Sequence, residues 1–437
     1  MKFCQICLLE CESNVHDECL KRVFGTTSVP SFGGADIEEI IKYCTAQAEQ
    51  NKMSLGGLQP KGNFELDGNI LVPFRSQKQF FVKPEADRRF PEIAANEHLT
   101  SVMSHHFGVN TVKCAFLKSS DGIGVFVSRR FEMDGFIRTS SLNRVFGGDS
   151  STKYENTSYE ELGEMLRRSE VGQTEDYFSR VFFNLMVGNN DMHADNFDIG
   201  VDGTLSPQFD NVNARVYDYK KPAIKILKES ENNQKDININ ILDTLGERLG
   251  VTATDRMRIY ERFFSQSGLR EVLIERSFLT DKKRDSFRYT LNEVKNLFLK
   301  NCDRDIEKRL RSLAKTPHNG VLAVNPIPED SQAAVVILDN GKRRLSVECR
   351  SCRQKWTCEA NSESEIKDTH MCQSTTRSGL TTTPITWIKL SNPKKCGGGC
   401  CSARGFQCYC DCKGKKHGSN AGTPKLPRKR RKTKSNK

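Results

Sequence analysis

Asp191, Asn196 and Asp210 are the residues whose types and spacing most directly suggest chemistry. Asp191 and Asn196 lie five positions apart in "GNNDMHADNF", and Asp210 follows in "LSPQFDNVNA". Phosphoryl transfer needs such a set: one carboxylate to take or orient a hydroxyl proton, then an amide and a second carboxylate to hold magnesium against phosphates. The D-x-x-x-x-N interval is that of a kinase catalytic loop, and magnesium prefers oxygen ligands of this kind. His193, inside the same loop, is expected to orient Asp191 or to make a plain structural hydrogen bond. Taken alone, Asp191 and Asn196 fit an ordinary loop with Asx turns equally well.

Upstream, further parts occur in the order that phosphoryl transfer requires. "SLGGLQPK" is a turn whose Gly56 and Gly57 allow backbone amides to approach phosphate, with Ser54 before them and Lys61 after. Lys83, on the strand-like "FFVKP", is placed to neutralise nucleotide phosphates, and Glu92 or Glu97 on the next helix is placed to pair with it. Any one of these has an unremarkable reading, since glycine pairs make turns and strand lysines are usually solvated.

These parts need two kinds of element to position them. "GNFELDGNILVPF", "QFFVKP" and "VKCAFLKSSDGIGVFVSRRF" alternate as strands, the last as a hairpin turning at "SSDG". "IEEIIKYCTAQAEQ" and "PEIAANEHLTSVMSHHFG" read as helices, the second bounded by Pro and Gly. From about residue 155 the pattern is helical, including "SYEELGEMLRRS" and "DYFSRVFFNLMVG". The expected fold class is therefore α+β and bilobal, protein-kinase-like, with a strand-rich lobe over 36–145 and a helical lobe over 146–315. A small Cys/His unit occupies 1–35, a linker 316–344, a Cys-rich region 345–420 and a basic tail 421–437.

Of seventeen cysteines, fourteen crowd the two ends and only Cys44, Cys114 and Cys302 lie between. Cys4, Cys7, His16 and Cys19 give CxxC-x8-HxxC, a spacing for one tetrahedral zinc site, with a thiol-packed cap as the alternative. Cys349, Cys352, Cys358 and Cys372 form a second candidate zinc set, with His370 as a rival ligand. Cys396, Cys400, Cys408, Cys410, Cys412 and His417, with Cys401 among them, form a third in which the pairing is not readable. A segment so poor in apolar residues needs metal to order it. Clustered CxxC spacing without a signal-peptide pattern favours zinc over disulfides and a cytoplasmic location. No run of apolar residues is long enough to span a membrane.

The formal charge of +12 is concentrated at one end. Residues 421–437 carry eight Lys or Arg and no acid, which leaves +4 for the rest (12 minus 8). Such a tail binds nucleic acid by counterion release, or serves as a solubilising extension.

The wording of several motifs resembles one family, the HipA-type toxin kinases of bacterial toxin–antitoxin systems. The resemblance rests on "CQICL…HDECLKRVFGT", "MSLGGLQPK", "FFVKP…FPEIAANEHL", "VFVSRRFE", "KYENTSYEEL", "VFFNLMVGNNDMHADNF" and "LSPQFD", over roughly residues 1 to 315. It resembles the short members, which begin with the Cys unit. The resemblance implies a serine/threonine protein kinase using ATP and Mg2+, an aminoacyl-tRNA synthetase as protein substrate, and restraint by a small DNA-binding antitoxin. Carried over by motif, Asp191 is the base, Asn196 and Asp210 are the magnesium ligands, and Lys83 and Lys61 meet nucleotide. Arg129 to Phe131 form the hinge at adenine, and Ser54 is the loop serine open to autophosphorylation. Two positions depart from the pattern: Asp195 stands where the family usually has Lys, as in "HAKNF", and the hinge begins with Arg129. Asp195 leaves room for a different function, a degenerate kinase fold that binds nucleic acid through its C-terminal region. A kinase acting on a small molecule is a third reading.

Overall fold

The structure, a computed structural model, describes residues 3–50 and 59–315, apart from 137, 146, 149–151, 155–156, 169–172 and 201. Beyond these it describes the backbone of five strands between 336 and 386. The chain divides into two compact units. One comprises Met1–Val324 with Arg350–Gln354 and Met371–Thr383; the other comprises Asn325–Cys349, Lys355–His370 and Pro384–Lys437.

The first unit opens with α1 (Asp17–Val23) and α2 (Ile37–Gln50). An antiparallel sheet follows, built from β1 (Gly62–Asp67), β2 (Ile70–Pro73), β3 (Phe80–Pro84), β4 (Cys114–Lys118) and β5 (Gly124–Arg129). Its spatial order is β2-β1-β3-β5-β4, which places β3 at the centre. In register, Val82 faces Val127 and Lys83 faces Phe126. The period-2 pattern explains the sheet: Phe80, Val82 and Val127 are buried on one face, where Phe24 and α2 cover it, and Lys83 and Phe126 lie on the other. Helix α3 (Ile93–Phe107) packs on that other face and ends at Gly108 with φ 95°, a left-handed C-cap suited to glycine.

Helices follow: α4 (Leu142–Val145), α5 (Tyr159–Arg168), α6 (Thr174–Val187), α7 (Ile239–Arg248), α8 (Ala253–Ser265), α9 (Ser267–Glu275), α10 (Asp281–Phe298) and α11 (Arg304–Lys315). A two-stranded ribbon of β6 (Arg138–Ser141) and β7 (Asp198–Gly200) brackets the loop before Asp198. The architecture is α+β with an antiparallel sheet preceding a helical half, as the sequence pattern predicts. Helix α6 is buried from Tyr177 to Val187, because both apolar runs of its face pack against other helices. Phe182 alone meets Phe107, Tyr260, Phe263 and Phe298 at ring distances of 4.9–6.2 Å.

The N-terminal residues share this core. Cys4, Leu8, Leu20 and Val23 are buried with the sheet residues, and the Phe24 ring lies 5.5 Å from that of Phe80 on β3. Towards the C-terminus, β8 (Val336–Ile337), β9 (Arg343–Glu348) and β10 (Lys355–Ala360) form a three-stranded sheet, and β11 (Thr369–Thr376) pairs with β12 (Gly379–Thr386). Cys358 lies on β10 and Cys372 on β11. The other candidate ligands Cys349, Cys352, Cys396, Cys400, Cys408, Cys410, Cys412 and His417 lie outside the described residues, as does the basic tail.

Candidate active site

The loop carrying Asp191 begins where α6 must stop. Gly188 caps α6 at φ 78°, and a Cβ there would fall 2.7 Å from the Asn213 amide oxygen. Glycine alone combines that backbone angle with that closeness. The chain then makes tight local bonds: His193 N donates to Asp191 O (2.9 Å) and Asn196 N to His193 O (2.9 Å). The Asn196 side chain closes the loop, its Nδ2 donating to Asp191 O at 3.2 Å. This commits the amide nitrogen and leaves the amide oxygen as the acceptor available to a cation. The expected spacing thus folds into a single small ring holding Asp191, His193 and Asn196.

Asp210 reaches the same region by a separate set of bonds. Gln208 N donates to Asn110 O (2.7 Å) and Val112 N to Gln208 O (3.0 Å), which pins the segment before Asp210 beside the stretch that leads into β4. Asn189 Nδ2 donates both to Asn184 Oδ1 (2.8 Å) and to Asp210 O (3.2 Å). Gln208 Nε2 donates to Asn184 Oδ1 at 3.0 Å and to Asn211 Oδ1. Asn184, Asn189, Gln208, Asn211 and Asn213 are all nearly inaccessible, so the network is costly unless satisfied and specifies one arrangement when it is. Asp210 itself adopts φ 54°, a left-handed angle that Asp tolerates better than most residues. No sequence signal identified this amide network, although five amides crowded around two turns are a visible excess.

Lys83 joins the two halves. Its Nζ lies 2.6 Å from Glu97 Oε1 and forms an ion pair with Asp210 Oδ1 as well. Of the two candidate glutamates, Glu97 is the partner. Glu92 caps the segment before α10 instead, accepting from Thr280 N at 2.6 Å and Thr280 Oγ1 at 2.8 Å. Helix α3 is tied to the Asp210 segment a second time, because Asn96 and Asn213 exchange bonds of 3.1 and 2.9 Å. One lysine therefore senses both the helix and the Asp210 turn.

The charges follow from burial and proximity. Burial drives the Glu97 carboxyl up to about 7, against the pull of Lys83. Burial also acts to raise Asp210, but the Lys83 and Lys61 charges win and hold it well below the usual carboxylate range. Lys83 is disfavoured by burial yet held above its ordinary value by Asp210 and Glu97. Burial lowers the Lys61 ammonium, with Asp210 opposing. Asp191 is pushed above its ordinary value, again by burial first. Burial brings the His193 imidazole down to about 4, and its Nδ1 has no hydrogen-bond partner. A carboxylate of raised basicity next to a low-pKa carboxylate and two lysines separates a proton acceptor from an anionic cation ligand.

At the strand end, Arg129 N and Arg130 N are used within the sheet edge, donating to Lys113 O (2.7 Å) and Gln79 O (2.9 Å). Phe131 is buried and stacks against Phe209 with centroids 6.2 Å apart, linking this corner to Asp210. Ser54, Gly56 and Gly57 lie outside the described residues. Asp195 accepts from Ser141 Oγ at 2.7 Å.

A second cluster forms at the N-terminus. Ligand atoms of Cys4, Cys7, His16 and Cys19 lie within 4.8 Å of one another, all buried. His16 Nδ1 is 3.4 Å from Cys7 Sγ and 3.8 Å from Cys19 Sγ, and Nε2 is 2.9 Å from Glu10 O. That outer hydrogen bond, with Nε2–H as donor, turns the Nδ1 lone pair toward the thiols. The Cys4 thiol is held well below its ordinary value by hydrogen bonds from Cys19 and Cys7. Three thiols and one imidazole converging on a point fit a tetrahedral zinc ion.

Parts of the chain are similar to known proteins. Residues 53–268 match the family model described as "HipA-like C-terminal domain". The "Putative kinase" of Haemophilus influenzae is 22% identical over 190 residues, 39% of this chain and 53% of its own length. The "Putative kinase Y4mE" of Sinorhizobium fredii is 22% identical over 273 residues, 58% of this chain and 60% of its own length. The chain thus spans between half and two thirds of the curated relatives it matches. Among solved structures, HipA in the Shewanella oneidensis complex with HipB and operator DNA is 19% identical, with TM-score 0.47 over 60% of this chain and 67% of its own. The Helicobacter pylori proinflammatory kinase CtkA is 13% identical, with TM-score 0.40 over 58% of this chain and 94% of its own. Residues 53–268 are thus similar to the HipA-like C-terminal domain, and the two curated relatives are both described as putative kinases.

Proposed function

We propose that this chain is an ATP- and magnesium-dependent serine/threonine protein kinase. The observation that carries the reading is Lys83, bonded at once to Glu97 on α3 and to Asp210 beside the Asp191–Asn196 loop. In this reading Lys83 and Lys61 bind nucleotide phosphates, and the backbone near Arg129 and Phe131 receives adenine. Asp210 and the Asn196 amide oxygen would hold magnesium, whose charge neutralises phosphate oxygens when bound. Asp191 accepts the proton of the substrate hydroxyl, a task suited to its raised basicity. His193, neutral because buried, keeps the loop closed without adding positive charge.

The family resemblance supports a protein of translation, such as an aminoacyl-tRNA synthetase, as substrate, and a small DNA-binding antitoxin as partner. It also supports autophosphorylation at Ser54, where about two negative charges in a phosphate-binding loop would exclude ATP. Cys4, Cys7, His16 and Cys19 would hold one structural zinc. The other Cys-rich sets would hold further zinc, and the tail would bind nucleic acid.

Asp191→Asn keeps the shape and removes the proton acceptor. It should abolish transfer of labelled phosphate from ATP while leaving ADP affinity intact; turnover near the wild-type rate would remove Asp191 from this role. A second reading, a non-catalytic fold that binds nucleic acid, is favoured by Asp195 alone. Label transfer by the wild-type protein decides between the two.

A further inference from the structure

Residue 195 puts an acid where a loop of this type normally brings a cation to the transferring phosphate. Asp195 accepts from Ser141 Oγ, and the loop is left without a positive group of its own. A turn at residues 152–154 lies against the same loop. Lys153 O accepts from Ala194 N at 3.3 Å. Tyr154 Oη donates to Asp191 Oδ1 at 2.8 Å, and the Tyr154 ring meets His193 edge-on at 4.9 Å. Lys153 Nζ lies over that Tyr154 ring, 4.8 Å from its centroid. The ammonium is thus carried on a ring that is itself bonded to Asp191. Its field is felt there: burial raises Asp191, and the Tyr154 hydrogen bond and then the Lys153 charge oppose the rise. Lys153 also adds to the lowering of His193 and Lys61, both of which burial initiates.

We propose that Lys153, delivered from outside the catalytic loop, supplies the cation of the transfer step that Asp195 cannot. The inference rests on the phosphoryl-transfer reading above. In that step the substrate hydroxyl oxygen bonds to the γ-phosphorus as the bond to the β–γ bridging oxygen breaks. The hydroxyl proton goes to Asp191, and the bridging electron pair leaves on ADP. Lys153 stays protonated throughout and faces the non-bridging oxygens of the group in flight, where charge is greatest. Tyr154, exposed to solvent, holds Lys153 and Asp191 together until a substrate hydroxyl takes its place on Asp191.

The test uses the full chain with magnesium and γ-labelled ATP, and measures kcat, the KM for ATP and ADP affinity. Lys153→Ala should lower kcat roughly 100-fold, with KM and ADP affinity changed by no more than about twofold, as expected for a charge used only in the transition state. Lys153→Arg should keep most of the rate. Adding Asp195→Lys to the Lys153→Ala protein should restore at least about tenfold, because it returns a cation to the loop. An unchanged rate in Lys153→Ala overturns the proposal, as does a lost rate that neither Lys153→Arg nor Asp195→Lys restores. Wild-type protein that binds ADP but transfers no label overturns the phosphoryl-transfer reading and this inference with it. Equal label transfer by wild type and Lys153→Ala overturns only the inference.

Discussion

Replacing Lys83 by Met removes the cation ion-paired with both Glu97 and Asp210, and its cost depends on pH in a way that identifies Glu97. In the wild type the folded-state pKa of Glu97 is about 7, against an ordinary value of 4.5. A raised carboxyl means that the folded state binds the extra proton, so stability is greatest below the ordinary value and falls as pH rises toward 7. Above that the wild-type Glu97 ionises against Lys83 and the loss stops. In Lys83→Met no cation replaces Lys83, so Glu97 keeps its proton to higher pH and the loss continues. The difference between the proteins is therefore flat below neutrality and grows by about 1.4 kcal/mol per pH unit above it. The flat part, from Asp210 losing one of its two lysines, should be about 1–2 kcal/mol. Urea unfolding from about pH 6 to about pH 9 measures the difference directly. Lys83→Met combined with Glu97→Gln should abolish the pH-dependent part without restoring any phosphoryl transfer. A cost equal at both ends of the range would refute the assignment of Glu97 as the group that titrates.

Two other outcomes follow from regions apart from that pair. Cys7→Ser should remove zinc from the N-terminal cluster, read by elemental analysis of Met1–Val324, and lower the melting temperature by roughly 5–10 °C; zinc-free wild-type protein of full activity would count against the metal. Ending the chain near residue 320 should leave phosphoryl transfer intact but abolish duplex-DNA binding, whose log–log salt slope in the full chain should be about −4 to −5 if the tail neutralises about five phosphates; retained binding would move the basic surface elsewhere.

Parts of this arrangement were legible because they are local. The Asp191–Asn196 interval is set by the loop's own hydrogen bonds, and Gly108 and Gly188 mark helix ends through an angle that glycine adopts freely. Lys83 at the centre of the sheet follows from alternation in "FFVKP". What stayed hidden depends on contacts between distant residues. Glu92 and Glu97 stand five apart on one segment, and only the position of Thr280 and of Lys83 tells them apart. The amide network under Asp210 joins Asn184 to Gln208 across two turns. Lys153 and Tyr154 reach Asp191 over a gap of some forty residues, where no periodicity connects them. Asp195 read as a defect in sequence, and its bond to Ser141 exists only once β6 is folded beside the loop.

Helix α3 carries Glu97 and His98 as neighbours. Glu97 reaches Lys83, and His98 Nε2 lies 2.9 Å from Ile6 O, the carbonyl between Cys4 and Cys7. Two turns on, Arg22 from α1 meets His105 Nε2 at 3.0 Å. A change that loosens the N-terminal thiol cluster, such as loss of a bound metal, would therefore reach the partner of Lys83 through the body of α3, at a distance from the Lys83–Asp210 pair itself.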